Sequence, residues 1–144
     1  MIESDTIKLL RECDAGVKMG TASIKDVMEH VRADKMKKHL EKCLQEHEKL
    51  DTEIREQLTK FSDEGKDPNP IAKGMSWMKS AVKLGMDDSD ATVADLMTDG
   101  CNMGVKSLNR YLNQYEAADE VSKDIAKRLS NLEEQLAVDL RQYL

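Results

Sequence analysis

The chain has 144 residues, of which 35% are charged, 40% hydrophobic and only 3% aromatic. That length suits one domain over residues 1–144 with a continuous core, held without disulfides or structural metal. The net charge of −6, with basic residues interspersed among acids as in Lys35-Met36-Lys37-Lys38-His39-Leu40-Glu41-Lys42, argues against nucleic-acid binding, and no apolar run reaches the length of a membrane span.

Apolar residues recur at alternating steps of three and four, so the chain reads as amphipathic helices throughout. The first is expected to start at a cap on Ser4 or Asp5, with a seam through Ile7, Leu10, Cys13, Val17, Gly20, Ile24, Val27 and Val31. Gly16 and Gly20 each cost about 1 kcal/mol against alanine inside a helix. Close approach of a neighbouring helix is the expected return, and a kink is the alternative. Asp34 is expected to cap a second helix with the seam Met36, Leu40, Cys43, His47, Leu50, Ile54, Leu58 and Phe61.

Gly65-Lys66-Asp67-Pro68-Asn69-Pro70 breaks the pattern, with Pro70 suited to the first turn of a new helix. A shorter helix carrying Ile71, Met75, Trp77, Met78 and Val82 should follow and stop near Gly85. Asp87-Asp88-Ser89-Asp90 then caps a third long helix, with Met97, Cys101, Gly104, Leu108, Leu112 and Tyr115 on its seam. The turn Ala117-Ala118-Asp119 leads to a fourth, through Ile125, Leu129, Leu132, Leu136 and Tyr143.

Cys13-Asp14-Ala15-Gly16-Val17-Lys18 recurs as Cys101-Asn102-Met103-Gly104-Val105-Lys106, an offset of 88 residues (101 − 13). Two helix pairs built on one plan make a four-helix bundle. Each pair is joined tightly and forms an antiparallel hairpin. The join between pairs, roughly residues 64–90, is long enough to run the length of the bundle, which makes the second and third helices parallel.

Leu9-Leu10-Arg11-Glu12-Cys13, Gly74-Met75-Ser76-Trp77-Met78-Lys79 and Cys101-x-x-Gly104 stand in an order and spacing that resembles the ferritin-like superfamily, and within it a group of small bacterial proteins. The resemblance implies an all-α, ferritin-like bundle with a long helical crossover, and a possible di-metal centre. It implies no particular activity. Metal-active relatives carry one Glu on each of the first and third helices and Glu-x-x-His on each of the second and fourth. The matching positions here hold Val17 and Val105, then Leu44-x-x-His47 and Glu133-x-x-Leu136, the latter pair aligned at an offset of 89 (136 − 47). Only His47 and Glu133 of the six remain ligand types. A slip of one residue brings in Glu46 or Glu134, but Glu134 then points nearly opposite its helix's seam.

His47 lies inside the apolar stripe of its helix, so it is first of all a buried neutral imidazole paired across the bundle, to Glu133 or a backbone carbonyl. The sharper alternative is a rearranged site for iron, manganese or zinc at His47 and Glu133, helped by Glu46, Cys43, Cys13 or Cys101. An odd number of cysteines inside helical patterns otherwise suits reduced core thiols and a cytoplasmic protein, with a redox role for Cys13 and Cys101 as a weaker idea. Asp139 falls on the fourth seam and is expected near the bundle's open end, where water reaches it. The preferred reading is a non-enzymatic bundle that has lost its di-metal centre and works by self-association or by binding a protein partner. Its methionine-rich crossover and Tyr111 and Tyr115 offer apolar surface for a two-fold homodimer, the methionines being otherwise adaptable core filler.

Overall fold

The four long stretches of helical periodicity each become a helix. A computed structural model describes residues 2–66 and 89–144. The short helix expected around Met75, Trp77 and Met78 lies outside the described residues. Within them the elements are α1 (Ile2–Met28), α2 (Asp34–Lys60), α3 (Asp90–Gln114) and α4 (Glu120–Leu140), closed by a turn of 3-10 helix at Arg141–Tyr143. No strand occurs among the described residues, and no helix there is long and apolar enough to cross a membrane.

The direction of each helix follows from what its ends bury. One apolar cluster joins Ile24 and Val27 of α1, Met36 and Leu40 of α2, Val93 and Met97 of α3, and Leu136 and Leu140 of α4. The other joins Leu9 and Leu10, Leu50 and Ile54, Leu108, and Ile125 and Leu129 from the same four helices. The late part of α1 therefore lies beside the early parts of α2 and α3 and the late part of α4. Helices α2 and α3 run parallel, and each hairpin is antiparallel. This is an all-α bundle of the topology expected from the connection lengths.

Two of the expected caps are placed differently. Helix α1 is already under way at Ile2, so Ser4 and Asp5 sit in its first turn. Helix α2 has Ala33 at its cap without a side-chain bond, and Asp34 is its first residue. The cause is long-range. Asp90, opening α3, accepts from the backbone N–H groups of Arg32 and Ala33 at 2.7 and 3.0 Å. At the opposite end, Asp5 accepts from Ala117 N–H at 3.1 Å and the Thr6 hydroxyl from Asp119 N–H at 2.8 Å. Each hairpin turn is thus held by the first turn of the other hairpin. Ser89 caps α3 as the local sequence predicts, accepting from Thr92 N–H, and Asp119, the last residue of the expected turn, caps α4, accepting from Ser122 N–H. Asp90→Ala should cost about 1–2 kcal/mol, since it removes two bonds to a charged acceptor. Urea unfolding with an unchanged m-value would show it, and an unaltered midpoint would refute it.

The path out of α2 crosses α1. Asp14 is 1% exposed, and its Oδ2 accepts from Lys66 N–H and Lys18 Nζ, each at 2.9 Å. Gly65 turns there with φ of 87°, and a side chain at that point would overlap the Asp14 carboxylate. Arg11 pairs with Asp63 and Lys66 with Glu12 around it. On the far side, Arg128 of α4 makes a two-pronged bond to Glu53 of α2, both arms at 2.8 Å.

Candidate functional site

Where the two apolar clusters meet, the interior turns polar. His47 follows Cys43 of one cluster by a turn and precedes Leu50 of the other, while Glu133 stands between Leu129 and Leu136 in the same way. Gly20 and Gly104 occupy this level on α1 and α3. Both polar side chains are enclosed, His47 at 1% exposure and Glu133 at 9%.

His47 is fixed by its own helix. Its Nδ1 lies 2.8 Å from the Cys43 carbonyl oxygen, which can only accept, so Nδ1 carries the proton and donates. The Cys43 Sγ is also within 3.5 Å of Nδ1. In the neutral ring Nε2 is then an acceptor, and it is buried without a hydrogen-bond partner. Burial holds the imidazole below the ordinary histidine range, so the neutral form prevails. The ring lies against Gly20, where a Cβ would come within 2.5 Å of Nε2. The pairing expected across the bundle is not made: the imidazole bonds a carbonyl of its own helix, and Glu133 is not its partner.

Glu133 is placed by the same device in the other hairpin. Its carboxyl sits over Gly104, where any added side chain would overlap it. Oε2 is buried and unpartnered. Burial alone pushes the group up to about 8, so it is a carboxylic acid at neutral pH. Each hairpin therefore seats one polar side chain in a glycine notch of its neighbouring helix. The notches explain what Gly20 and Gly104 return for their helix cost. Gly16 does something milder, leaving Leu129 of α4 at ordinary contact distance, 3.7 Å from a would-be Cβ.

The remaining candidates separate. Cys43 and Cys101 share one apolar cluster and Cys13 lies in the other. Cys13 and Cys101 occupy opposite halves of the core and do not form a pair. All three thiols are free and buried, and burial is the largest cause raising each; Cys13 and Cys43 are pushed up to about 12. Nearby acids add to this, Glu12 and Asp14 for Cys13, Glu133, Asp139 and Glu46 for Cys43, and Glu133 for Cys101. Thiolate chemistry is suppressed at neutral pH. Glu46 faces water and pairs with Lys49 at 3.1 Å. Among the described residues no three His, Cys, Asp or Glu side chains converge where a metal ion could be held. Asp139 is half-exposed beside His39 at 3.5 Å and accepts from Gln135, in the watered position expected of it. Asp14, buried beneath the exit from α2, was not among the sequence candidates. Its role depends on residues 65 and 66, which no helical period connects to α1.

Compared with models of known protein families, with curated proteins and with solved structures, the chain matches none.

Proposed function

We propose that the chain is a ferritin-like bundle whose di-metal centre has given way to packing, and that it acts in the cytoplasm by association, with itself or with a partner protein. The observation that carries this reading is the seating of His47 and Glu133 in separate glycine notches, each within its own hairpin. At the other inferred ligand positions, Val17 and Leu136 are part of the apolar core, and Val105 and Leu44 are half-buried. The parallel course of α2 and α3 supports the ferritin-like topology. Met19, Met103, Val121 and Val138 are exposed large apolar residues that suit association through outer helix faces. Tyr111 and Tyr115 stack with ring centroids 6.2 Å apart and lie half-buried at the edge of one cluster.

Two measurements test this. Light scattering at micromolar concentration should give twice the chain mass of 16.3 kDa. A mass of 16.3 kDa that persists on concentration would remove self-association. Protein grown with iron, manganese and zinc should carry much less than one tightly held metal per chain, and two per chain would overturn the loss of the centre.

A second reading keeps a rearranged metal site at His47 and Glu133. It is favoured by one fact, that His47 Nε2 and Glu133 Oε2 are both buried polar atoms without hydrogen-bond partners. Metal surviving dialysis, and lost in a folded His47→Ala variant, would establish it. Unchanged metal content in that variant would exclude it.

A further inference from the structure

The outer sides of α1 and α3 carry charges sorted by sign. On α1, Lys8 and Asp26 flank Met19 along one stripe, and on α3 Asp95, Asp99, Met103, Lys106 and Arg110 follow one another at helical steps of three and four. Both stripes avoid the two apolar clusters, and the two helices pack side by side. Leu9 and Leu10 share one cluster with Leu108, so Lys8 stands at the same end as Lys106 and Arg110. Ile24 and Val27 share the other with Val93 and Met97, so Asp26 stands at the same end as Asp95 and Asp99. One end of this face is therefore basic and the other acidic. Between them, beside the level of Gly20 and Gly104, Met19 is 38% exposed and Met103 55%. Among the described residues none of the six charges is taken up in an ion pair. The adjoining Arg11, Glu12 and Lys18 are engaged instead, with Asp63, Lys66 and Asp14.

The pattern is its own complement. On α3, Asp99 and Lys106 are equidistant from the Asn102–Met103 pair, and so are Asp95 and Arg110. On α1, Lys8 and Asp26 are equidistant from Val17, and so are Ala15 and Met19. We propose that this face is the contact of a two-fold homodimer in which α1 packs antiparallel on the partner's α1, and α3 on the partner's α3. A two-fold axis lying in the contact, across the helices, brings Asp99 to the partner's Lys106, Asp95 to the partner's Arg110 and Lys8 to the partner's Asp26. Met19 then meets the partner's Ala15, and Met103 the partner's Asn102. An axis along the helices would set basic end on basic end, so the charges choose between two ways of closing the same apolar waist. Charges at a rim give direction and encounter rate more than affinity, and the adaptable methionines supply the centre that loses its water. The inference rests on the self-association proposed above and assigns it a surface. Val121 and Val138 stand on α4, outside that surface.

Sedimentation equilibrium of the full chain tests it. The dimer dissociation constant should rise about tenfold between about 50 and about 500 mM sodium chloride, as the exposed pairs are screened. Asp99→Lys meets the partner's Lys106 twice, once on each side of the axis, and should weaken the dimer about tenfold; Lys106→Asp should do the same. The double variant Asp99→Lys with Lys106→Asp restores opposite charges in both pairs and should recover the unaltered affinity. Glu48→Lys, on an exposed position of α2, changes the net charge as much as Asp99→Lys and should leave the dimer intact. A monomeric unaltered protein would remove self-association and this face with it. A dimer indifferent to salt or to the two reversals, weakened equally by Glu48→Lys, or not recovered by the double variant would overturn this face and leave self-association standing.

Discussion

Gly20→Ala should destabilise the protein by about 2 kcal/mol, although the same change in an unobstructed helix is worth about 1 kcal/mol in its favour. The sign reverses because of His47. A Cβ at position 20 would lie 2.5 Å from Nε2 and 2.9 Å from Cδ2, two atoms of one rigid ring. That ring is tethered through Nδ1 to the Cys43 carbonyl and is 1% exposed, so it has nowhere to swing. Overpacking of this kind costs about 1–3 kcal/mol, and a tethered ring belongs at the upper end. Set against the gain in helix propensity, about 2 kcal/mol remains.

The decisive measurement is a double-mutant cycle. In a His47→Ala background the notch is empty, and Gly20→Ala should stabilise by about 1 kcal/mol, giving a coupling of about 3 kcal/mol. Gly16→Ala, one turn away, should stabilise in the unaltered protein, because its new methyl meets Leu129 at 3.7 Å, an ordinary contact. Urea midpoints of the variants at a constant m-value would report all of this. Additive effects at positions 20 and 47 would show that the notch does not exist in solution.

What could be read from the residues, and what could not, divides by distance along the chain. The four long helices and the cap at Ser89 depend on neighbours within one turn, and these were legible. Parallel α2 and α3 followed from connection lengths. Asp34 was misjudged as the cap of α2 because the turn before it is held by Asp90, about 57 residues away, and Asp5 is engaged with Ala117, 112 residues on, instead of capping its own helix. The internal repeat was equally double-edged. It marked Cys13 and Cys101 as counterparts without showing that they lie in opposite halves of the core. It gave no hint that Asp14 is buried while its counterpart Asn102 is exposed, since only Asp14 has the exit from α2 lying across it. Nor did it show that Gly16 meets a leucine and Gly104 a carboxyl. Periodicity tells which residues share a face. It does not tell the height at which a facing helix presents its gap, and the candidate site consists of such gaps.

The Glu133→Gln variant should become progressively more stable than the unaltered protein as pH rises. The carboxyl titrates at about 8 in the folded chain, against 4.5 as its ordinary value. A group whose folded value is raised contributes its full stability below the unfolded value and loses it as pH climbs to the folded one. The advantage of the variant should therefore be small below pH 4.5, grow by about 1.4 kcal/mol per unit, and flatten above about pH 8. The full span, 8 − 4.5 units at that slope, is on the order of 5 kcal/mol, an upper figure because the carboxylate can relax toward water. His47 tilts the curve the other way. Its imidazole is held below the ordinary 6.5, so its contribution is present above that value and is lost as pH falls toward the lowered one. Where the windows overlap, the two slopes oppose each other in the unaltered protein, and its own pH profile would hide both. The difference between the two proteins isolates Glu133, because His47 is common to them. Urea unfolding of both from about pH 4 to pH 9 would measure it. A difference that stays level across that range would mean that Glu133 is ionised in the folded state, and that its place over Gly104 is not the dry one described.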